Sequence, residues 1–422
     1  MGAVLLVTQA FPPETGAGAR RVGAMASALA ERVRLRVLTL EPSYPNPELF
    51  QDLDLAAHDR GLPYAILRGF RFEPYKRSLL IRGVAELRMA RRLATAAKDL
   101  RANMIIVSTP SMFLAPAFQS LARRWGAIFV WDLRDITWRY VRETGNGGWA
   151  AAGLSHFLEW VMVRTLRHSD HIIAATPGIA DLLTSDYAID PDRTVVCTNG
   201  VSRRFLASFD ALVPAPEANP SVLYLGLLGR NHGIEILLQV ARRLPDVDFV
   251  IVGDGPGRPE LEAGLASAGL ANLRLHPYSL DRDELAAHYR RADIVFTQTR
   301  GTPVLTQTAL PAKLFEYMAT GKPLVYAGEG AAVEFLSRIG CAEIAPPGDV
   351  PAIAAAISRL VSDPGRRREM GRLGREQVQR NYVREQLMDQ LAAKVMDWTP
   401  GIVDWRWSSD RTPPAAAPKE RG

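Results

Sequence analysis

The chain has 422 residues, of which 47% are hydrophobic and 23% charged, with a formal net charge of +6. This composition is that of a globular protein, and the two distant cysteines, Cys197 and Cys341, exclude a disulfide-stabilised scaffold. At about 100–200 residues per domain, the length predicts two or three domains. The basic excess favours an anionic partner, such as a phosphate or a membrane surface.

Membrane-spanning and targeting signals are not visible in the sequence. The apolar runs fall short of the roughly 18 residues that cross a bilayer. The start, MGAVLLVTQ, lacks the basic region and long apolar core of a signal peptide. Together with the sparse cysteines, these features predict a cytoplasmic protein whose membrane contact is at most peripheral.

Short apolar runs alternate with helical patterns through the first half of the chain. Several runs are almost entirely apolar, as strands buried on both faces are. This alternation predicts a parallel sheet with helices on both faces. The predicted strands are 3–9, 33–40, 64–67, 104–108, 127–131, 171–175 and 194–197.

The alternation breaks at 207–220, where Pro214, Pro216 and Pro220 indicate a linker, and then resumes up to a charged helical region. We therefore predict an α/β protein with two tandem, doubly wound parallel-sheet domains that face each other across a cleft. The expected limits are 1–200 for the first domain, 201–220 for the linker, 221–380 for the second domain, 381–398 for a helix packing back on the first domain, and 399–422 for a flexible tail.

Ligands of such sheets bind beyond the carboxyl ends of strands, so the motifs that follow strands matter most. After the first predicted strand comes QAFPPETGAGARR, where Gly16 and Gly18 allow a ligand to approach the start of a helix. A turn that merely needs glycine is the alternative. A dinucleotide fingerprint is only weakly supported, because its third glycine is missing.

The stretch FVWDLRDITWRY places Asp132, Arg134 and Asp135 just beyond another buried strand. One hypothesis is that a carboxylate here holds a sugar hydroxyl or assists an acceptor. The alternative is an internal Arg–Asp pair that only fixes the loop.

Two glycine-rich turns follow strands of the second domain. In LYLGLLGRNHGIE, Gly229 and its neighbouring glycines form a phosphate-sized nest, with Arg230 and His232 as further donors. In VGDGPGRPELE, the turn at Gly253 is placed to lie against a nucleotide. Plain glycine turns remain the alternative for both.

The segment ALPAKLFEYMATGKPL predicts a helix that begins at Pro311, with Lys313 in its first turn, and that stops at Gly321, before Pro323. A lysine there opposes the helix dipole, and an intrahelical pair with Glu316 stabilises a helix by only a few tenths of a kcal/mol. If an anion binds at the helix start, the lysine and the free amides both attract it. Glu316, one turn further, then accepts hydrogen bonds from a diol such as ribose.

Other kinds of site are poorly supported. The Asp-x-Asp matches at 52–54, 246–248 and 281–283 do not clearly follow apolar strands, and no His/Cys cluster has metal-ligand spacing. The sequence also lacks a P-loop and a Gly-x-Ser-x-Gly nucleophile motif.

These motifs together resemble glycosyltransferase family 4, up to about residue 398. The resemblance implies a GT-B fold and a retaining, metal-independent transfer of a hexosyl or N-acetylhexosaminyl group. Within this family, the sequence resembles the bacterial subgroup that builds O-antigen and capsule, which includes N-acetylfucosamine-type transferases. A nucleotide-sugar donor, with UDP-sugar favoured, and a glycan or lipid-linked acceptor are implied, with no nucleic acid and no separate cofactor.

The resemblance also implies roles for single residues. Glu316 would bind the donor ribose, and Lys313 and Arg230 would neutralise the diphosphate. The stretch with Asp132, Arg134 and Asp135 would face the cleft, and the catalytic residues would be Arg230, Lys313 and Asp135. The remaining donor-site residues implied are Gly16, Gly18, Gly229, His232, Gly253 and Leu310. This chain departs from the family at Thr308, where the first of two glutamates often stands.

The basic stretch 68–101 carries interleaved apolar residues, and it could hold the first domain on the inner face of an anionic cell membrane. A solvated helix face is the alternative. For the whole chain, a nucleotide-sugar 2-epimerase-like enzyme and a non-catalytic nucleotide-sugar-binding homologue remain alternatives to a transferase.

Overall fold

A computed structural model describes residues 3–43, 47–72, 79–144, 149–210, 219–229, 232–279 and 281–399. Two separate parallel sheets with flanking helices form its two halves, as the alternating sequence pattern predicts. Arg230, residues 211–218 of the expected linker and the tail from residue 400 lie outside the described residues.

The first sheet has seven described strands, all paired in parallel, in the order β3-β2-β1-β4-β5-β6-β7. The strands are β1 (Ala3–Thr8), β2 (Arg34–Thr39), β3 (Ala65–Arg68), β4 (Met104–Ser108), β5 (Ile128–Leu133), β6 (His171–Ala174) and β7 (Thr194–Val196). The helices are α1 (Ala17–Ala30), α2 (Leu55–Arg60), α3 (Leu79–Ala96), α4 (Leu114–Trp125), α5 (Thr137–Thr144), α6 (Trp149–Arg167), α7 (Pro177–Tyr187) and α8 (Arg203–Ala207).

The second sheet has six described strands in the order β10-β9-β8-β11-β12-β13, again parallel. They are β8 (Ser221–Leu225), β9 (Asp248–Val252), β10 (Leu273–His276), β11 (Ile294–Gln298), β12 (Leu324–Ala327) and β13 (Ala342–Ala345). The helices are α9 (Ile236–Arg243), α10 (Arg258–Ala268), α11 (Arg282–Arg291), α12 (Pro303–Thr308), α13 (Ala312–Ala319), α14 (Ala331–Ile339), α15 (Val350–Ser362), α16 (Pro364–Asn381) and α17 (Arg384–Asp397).

The central strands of the first sheet, β1, β4 and β5, are buried on both faces, which explains their continuous apolar runs, whereas the edge strands β3 and β7 are partly exposed. In β1, Leu5 and Val7 join the core beneath α3, α4, α6 and α7. Val4 and Leu6 point to the opposite core, which α1 and α17 cover. Alternate side chains of one strand therefore need apolar surroundings on both sides of the sheet.

Strand order reverses once in each sheet, between β1 and β4 and between β8 and β11. At such a reversal the connections leave in opposite directions and open a crevice beyond the carboxyl ends of the strands. The glycine motif after β1 and the glycine motif after β8 both begin at these points.

The chain returns to the first domain through α17. Met388 and Leu391 of this helix are buried in the core beneath α1. At the crossing, the backbones of Val201 and Val383 form a parallel bridge. Arg384 fixes the crossing, since its guanidinium donates to the carbonyls of Asn199 and Gly200, at 2.9 and 2.8 Å.

A second connection between the domains is made by α12. The side chain of Val304 packs into the core of the first domain, and its backbone N–H donates to Glu143 at 3.0 Å. At the other end of α12, the Thr176 hydroxyl donates to the carbonyl of Thr308 at 2.6 Å. These contacts hold the second domain's α12–α13 segment against the first domain.

Candidate functional site

The structure brings the motifs of both domains together at one cleft. Gly16 and Gly18 begin α1 on the first domain, whereas Lys313 and Glu316 lie on α13 of the second. An ion pair of 2.7 Å between Arg20 of α1 and Glu316 spans the cleft. Two of the segments that the sequence analysis assigned to one donor site, the start of α1 and α13, therefore face each other across the cleft.

Lys313 occupies the first turn of α13, as predicted. The helix begins one residue later than expected, because Pro311 has an extended ψ of 131° and acts as the cap. That cap makes no side-chain hydrogen bond, so the first amides of the helix stay available. The predicted C-terminal stop is confirmed, since Gly321 follows the helix end with a φ of 71°.

The ammonium of Lys313 is a buried cation without a hydrogen-bond partner among the described residues. Its Nζ atom lies 3.9 Å from the centre of the Tyr224 ring, on β8. Burial lowers the pKa of Lys313 to about 7, and Glu316 only partly opposes this shift. An unpaired, desolvated ammonium at a helix start has no structural role that we can identify, whereas an anion would satisfy both the ammonium and the amides.

Gly226, directly after β8, makes room for this lysine. A Cβ atom at this position would lie 2.6 Å from Lys313 Nζ, and the φ of 146° is one that other residues rarely adopt. The glycine is therefore required by the position of the ammonium as well as by the backbone.

His232 lies beside the same ammonium but carries no charge at neutral pH. Its Nδ1 lies 3.2 Å from the carbonyl oxygen of Gln298, and since a carbonyl only accepts, Nδ1 carries the proton. Burial and the charge of Lys313 lower the pKa of His232 to about 4. The remaining nitrogen, Nε2, is then an acceptor, which suits a ligand hydroxyl better than a phosphate.

The other predicted residues of the second domain have different local reasons. Gly253 is required by packing, because a Cβ there would overlap the carbonyl oxygen of Gly226. Gly229 is not required by packing, since the nearest atoms would lie 3.5 Å from a Cβ added there. Leu310 is a buried core residue just before α13, so only its backbone is placed to meet a ligand.

Thr308, which stands where the family often has a glutamate, is buried at the end of α12. Its hydroxyl donates to the Val304 carbonyl at 2.7 Å, and its own carbonyl accepts the interdomain hydrogen bond from Thr176. The residue thus serves the contact between the domains.

On the first domain, Asp132 belongs to an internal network. It accepts two hydrogen bonds from Arg21, at 2.7 and 3.4 Å, and one from Ser108 at 2.6 Å. Both partners of the ion pair are fully buried. Arg21 also donates to the carbonyls of Cys197 and Thr198. Asp132 therefore follows the structural alternative, although its partner is Arg21 of α1 rather than Arg134.

Asp135 and Arg134, just beyond β5, lie at the cleft. Asp135 is exposed at the surface. The Arg134 guanidinium rests on α1, where a Cβ added to Gly18 would overlap it. The space above Gly18 is thus occupied by a side chain in the structure.

Sequence reasoning overlooked two contributors to the site. Arg20 lies in the QAFPPETGAGARR motif without an assigned role, although a cation near a helix start is the same signal that identified Lys313. Tyr224 carried no signal, because an aromatic residue in a buried strand is ordinary.

The described ranges contain neither a metal-ligating cluster nor a membrane-spanning helix. Within those ranges, no group of three or more His, Cys, Asp or Glu residues is arranged to hold a metal. The same ranges contain no helix with the length and apolarity to cross a membrane.

Two family models match the chain and together cover most of both domains. Residues 16–200 match the model described as "Glycosyl transferase 4-like domain". Residues 219–363 match the model described as "Glycosyl transferases group 1". The boundary between the two matches falls between β7 and β8, where the first sheet ends and the second begins.

Curated relatives have glycosyltransferase names. The chain is 24% identical, over 95% of its own length and 99% of the relative's, to a GDP-mannose-dependent alpha-(1-6)-phosphatidylinositol monomannoside mannosyltransferase of Mycobacterium tuberculosis. It is 28% identical to a 2-deoxystreptamine glucosyltransferase of Streptomyces kanamyceticus, over 45% of this chain and 47% of that one.

Solved structures share the fold. The sucrose-phosphate synthase of Thermosynechococcus elongatus superimposes with a TM-score of 0.71 at 18% identity, over 94% of this chain and 99% of that one. Anabaena HepE, solved in complex with UDP-glucose, gives 0.67 at 15% identity, over 94% of this chain and 100% of that one. The architecture is therefore GT-B.

The Asp132 network gives a first prediction. Asp132→Asn leaves Arg21 charged, buried and without its counter-ion. We expect it to lower the free energy of unfolding by about 3–5 kcal/mol, because breaking one side of a buried pair strands the other charge. Urea unfolding followed by tryptophan fluorescence measures this. Asp181→Asn on the exposed face of α7 is the matched control, and equal stability of the two variants would contradict the assignment.

Proposed function

Because the chain carries a glycosyl transferase 4-like domain followed by a glycosyl transferases group 1 domain, we propose that it transfers a sugar from a nucleotide-diphosphate donor to a glycan or lipid-linked acceptor. UDP-sugars are the favoured donors, and cell-surface polysaccharide synthesis is the favoured pathway. The observation that carries the proposal is the unpaired Lys313 ammonium at the open start of α13.

In this proposal the donor lies along the second domain. Its diphosphate meets Lys313 and the first amides of α13, with Arg230 as a further cation, and its ribose hydroxyls donate to Glu316. Its sugar extends toward Gly16 at the start of α1, within reach of the His232 acceptor nitrogen. Complexes of the structural neighbour HepE with UDP and with UDP-glucose support a nucleotide-sugar ligand for this fold.

The chemistry follows from where charge develops. As the bond to the anomeric carbon breaks, the leaving diphosphate gains negative charge, which Lys313 and the α13 amides stabilise without reorganising. The acceptor hydroxyl attacks from the same face and loses its proton to the departing phosphate. Asp135, which is exposed and follows Arg134 in the chain, orients that hydroxyl in this proposal. Cations and a helix dipole perform the neutralisation that a metal ion performs elsewhere.

A pH dependence tests this site. Free Lys313 has a pKa of about 7, and a bound diphosphate raises it by attraction to the charged form. Above pH 7, binding therefore takes up a proton, and affinity for UDP or a UDP-sugar should fall by up to about tenfold per pH unit. Calorimetric titration of UDP-, GDP- and ADP-sugars between pH 7 and about 9 measures this.

Two variants serve as controls for that titration. Lys313→Met should bind the best nucleotide about tenfold more weakly at pH 7 and lose the slope, because it has no charge to titrate. Lys313→Arg should lose the slope while keeping a charge, since arginine stays protonated in this range. Wild-type protein that binds none of the nucleotide sugars, or a slope that persists in Lys313→Met, would overturn the assignment.

The interdomain ion pair makes a further prediction. Arg20 competes with the ribose hydroxyls for Glu316, because its guanidinium contacts Oε1 of that carboxylate at 2.7 Å. Arg20→Met should therefore strengthen UDP binding, by up to about fivefold, the upper range for a partly exposed ion pair. Glu316→Gln should weaken binding. Weaker binding by Arg20→Met would show instead that Arg20 contacts the nucleotide.

A lipid-linked acceptor would require the first domain to lie on a membrane. We propose that α3 and α6, which flank α4 on one face of the sheet, make this contact. Phe157 and Trp160 of α6 are stacked and each 58% exposed, with Arg164 near the Trp160 ring. Ile81 and Val84 of α3 are also exposed. Exposed aromatic and basic side chains on one helix face favour an anionic bilayer interface.

Vesicle sedimentation tests this contact. The protein should bind anionic vesicles more strongly than zwitterionic ones, and less at high salt. Replacing Phe157 and Trp160 together by serine should abolish most of that binding, because the buried apolar area is lost. Val196→Ser, at an exposed apolar position on β7, is the control. Equal binding by the double variant would exclude α6 as the contact.

A further inference from the structure

Arg134 makes a cationic position on the first domain that no structural partner explains. Arg134 directly follows β5, and its guanidinium lies on the backbone of Gly18 in the first turn of α1. The Nη1 atom is buried and has no hydrogen-bond partner among the described residues. Burial also lowers the pKa of Arg134, which reflects the cost of desolvating the cation.

The contrast with Arg21 shows that this is not the ordinary way this protein buries an arginine. Arg21 is fully buried, and it is paired with Asp132 and with two backbone carbonyls. Arg134 has only electrostatic attraction to Asp135 and Asp132, and Asp132 is already bonded to Arg21 and Ser108. A buried cation without such partners destabilises the folded protein unless a ligand completes it.

The surroundings of Arg134 suit an oxyanion. The start of α1 is capped by Gly16 without a side-chain hydrogen bond, so the positive end of this 14-residue helix faces the same place as the guanidinium. The guanidinium and the positive end of α1 repel each other in the free protein, but both attract a bound anion. A planar guanidinium also matches the paired oxygens of phosphate.

Asp135 adds a second requirement. This exposed carboxylate attracts the neighbouring Arg134 guanidinium, and a carboxylate accepts hydrogen bonds from hydroxyl groups but repels an anion placed directly upon it. A ligand that satisfies both side chains therefore carries an oxyanion for Arg134 and, a short distance away, a hydroxyl for Asp135. A sugar or polyol phosphate has both groups.

We infer that Arg134 and Asp135 form an acceptor subsite for a phosphorylated sugar or polyol, with the phosphate on Arg134 and the reacting hydroxyl beside Asp135. The inference rests on the proposed function, in which the donor diphosphate lies on the opposite domain at Lys313. It adds the chemical class of the acceptor, and it separates two anion sites, one on each side of the cleft.

Binding to the UDP-saturated protein tests this inference. Glycerol 3-phosphate is the probe, because it carries a phosphate and hydroxyls, and glycerol is its uncharged match. We expect glycerol 3-phosphate, and not glycerol, to bind wild-type protein that already holds UDP. Arg134→Gln should weaken that binding by about tenfold or more, because a charge-assisted hydrogen bond is lost, while UDP affinity stays unchanged.

Two more variants keep the result interpretable. Gly18→Ala adds a methyl group where the guanidinium lies, so it should also weaken glycerol 3-phosphate binding, without altering any charge. Arg124→Gln, on the exposed face of α4, is the matched loss of an arginine and should bind like wild type.

The binding results distinguish failure of this inference from failure of the proposed function. If UDP displaces the probe, or Arg134→Gln loses UDP affinity in parallel, Arg134 serves the donor and the inference is wrong. Probe binding that Arg134→Gln retains would also overturn it. If UDP itself fails to bind wild-type protein, the proposed function fails first, and the acceptor subsite falls with it.

Discussion

A buried ammonium without a counter-ion is the constraint around which the binding edge of the second domain is arranged. The Lys313 amine lies beside the aromatic ring of Tyr224, in a buried position that lowers its pKa to about 7. Gly226 has to lack a side chain so that the ammonium fits. His232 is held neutral partly because the ammonium lies beside it. Such an arrangement stores unfavourable electrostatic free energy that an anionic ligand can release.

The first domain shows both ways in which a protein can bury arginine. Arg21 is neutralised by Asp132 and by backbone carbonyls that belong to the fold, so its network fixes α1 against β5. Arg134, only two residues beyond Asp132, rests on α1 without such a network. The hydrogen bonds and ion pairs of each guanidinium therefore distinguish a structural arginine from a ligand-binding one. A fully paired cation gains little from a ligand, whereas an unpaired one gains much.

Much of the fold could be predicted because it depends on periodicity. Strands buried on both faces leave continuous apolar runs, and every predicted strand of the first half has a counterpart in the sheet within a few residues. Lys313 stood out since a cation in a first helical turn opposes the dipole whatever the tertiary structure. The same local logic placed the stop at Gly321.

What the sequence left open depends on contacts between distant residues. Asp132 and Asp135 are three positions apart and equally acidic, yet only the structure shows that Arg21 neutralises Asp132, from 111 positions away. Gly18 looked like an opening for a ligand, but Arg134 lies above it. Which ion pairs form, and how much room remains above a glycine, depend on how distant segments meet at the edge of the sheet. The residue spacing within one motif carries no information about either.

Thr308 lies where the two domains meet. Its carbonyl accepts a hydrogen bond from Thr176, and Val304 of the same helix is buried in the first domain's core. Because α12 leads within a few residues into α13, any change in how the domains meet moves the helix that carries Lys313 and Glu316. Arg20 couples the domains a second time through Glu316 itself. A donor that takes Glu316 from Arg20 therefore weakens one interdomain contact and leaves the α12 contact in place. Domain motion on donor binding should accordingly pivot about α12 and the Val201–Val383 crossing, where backbone hydrogen bonds persist.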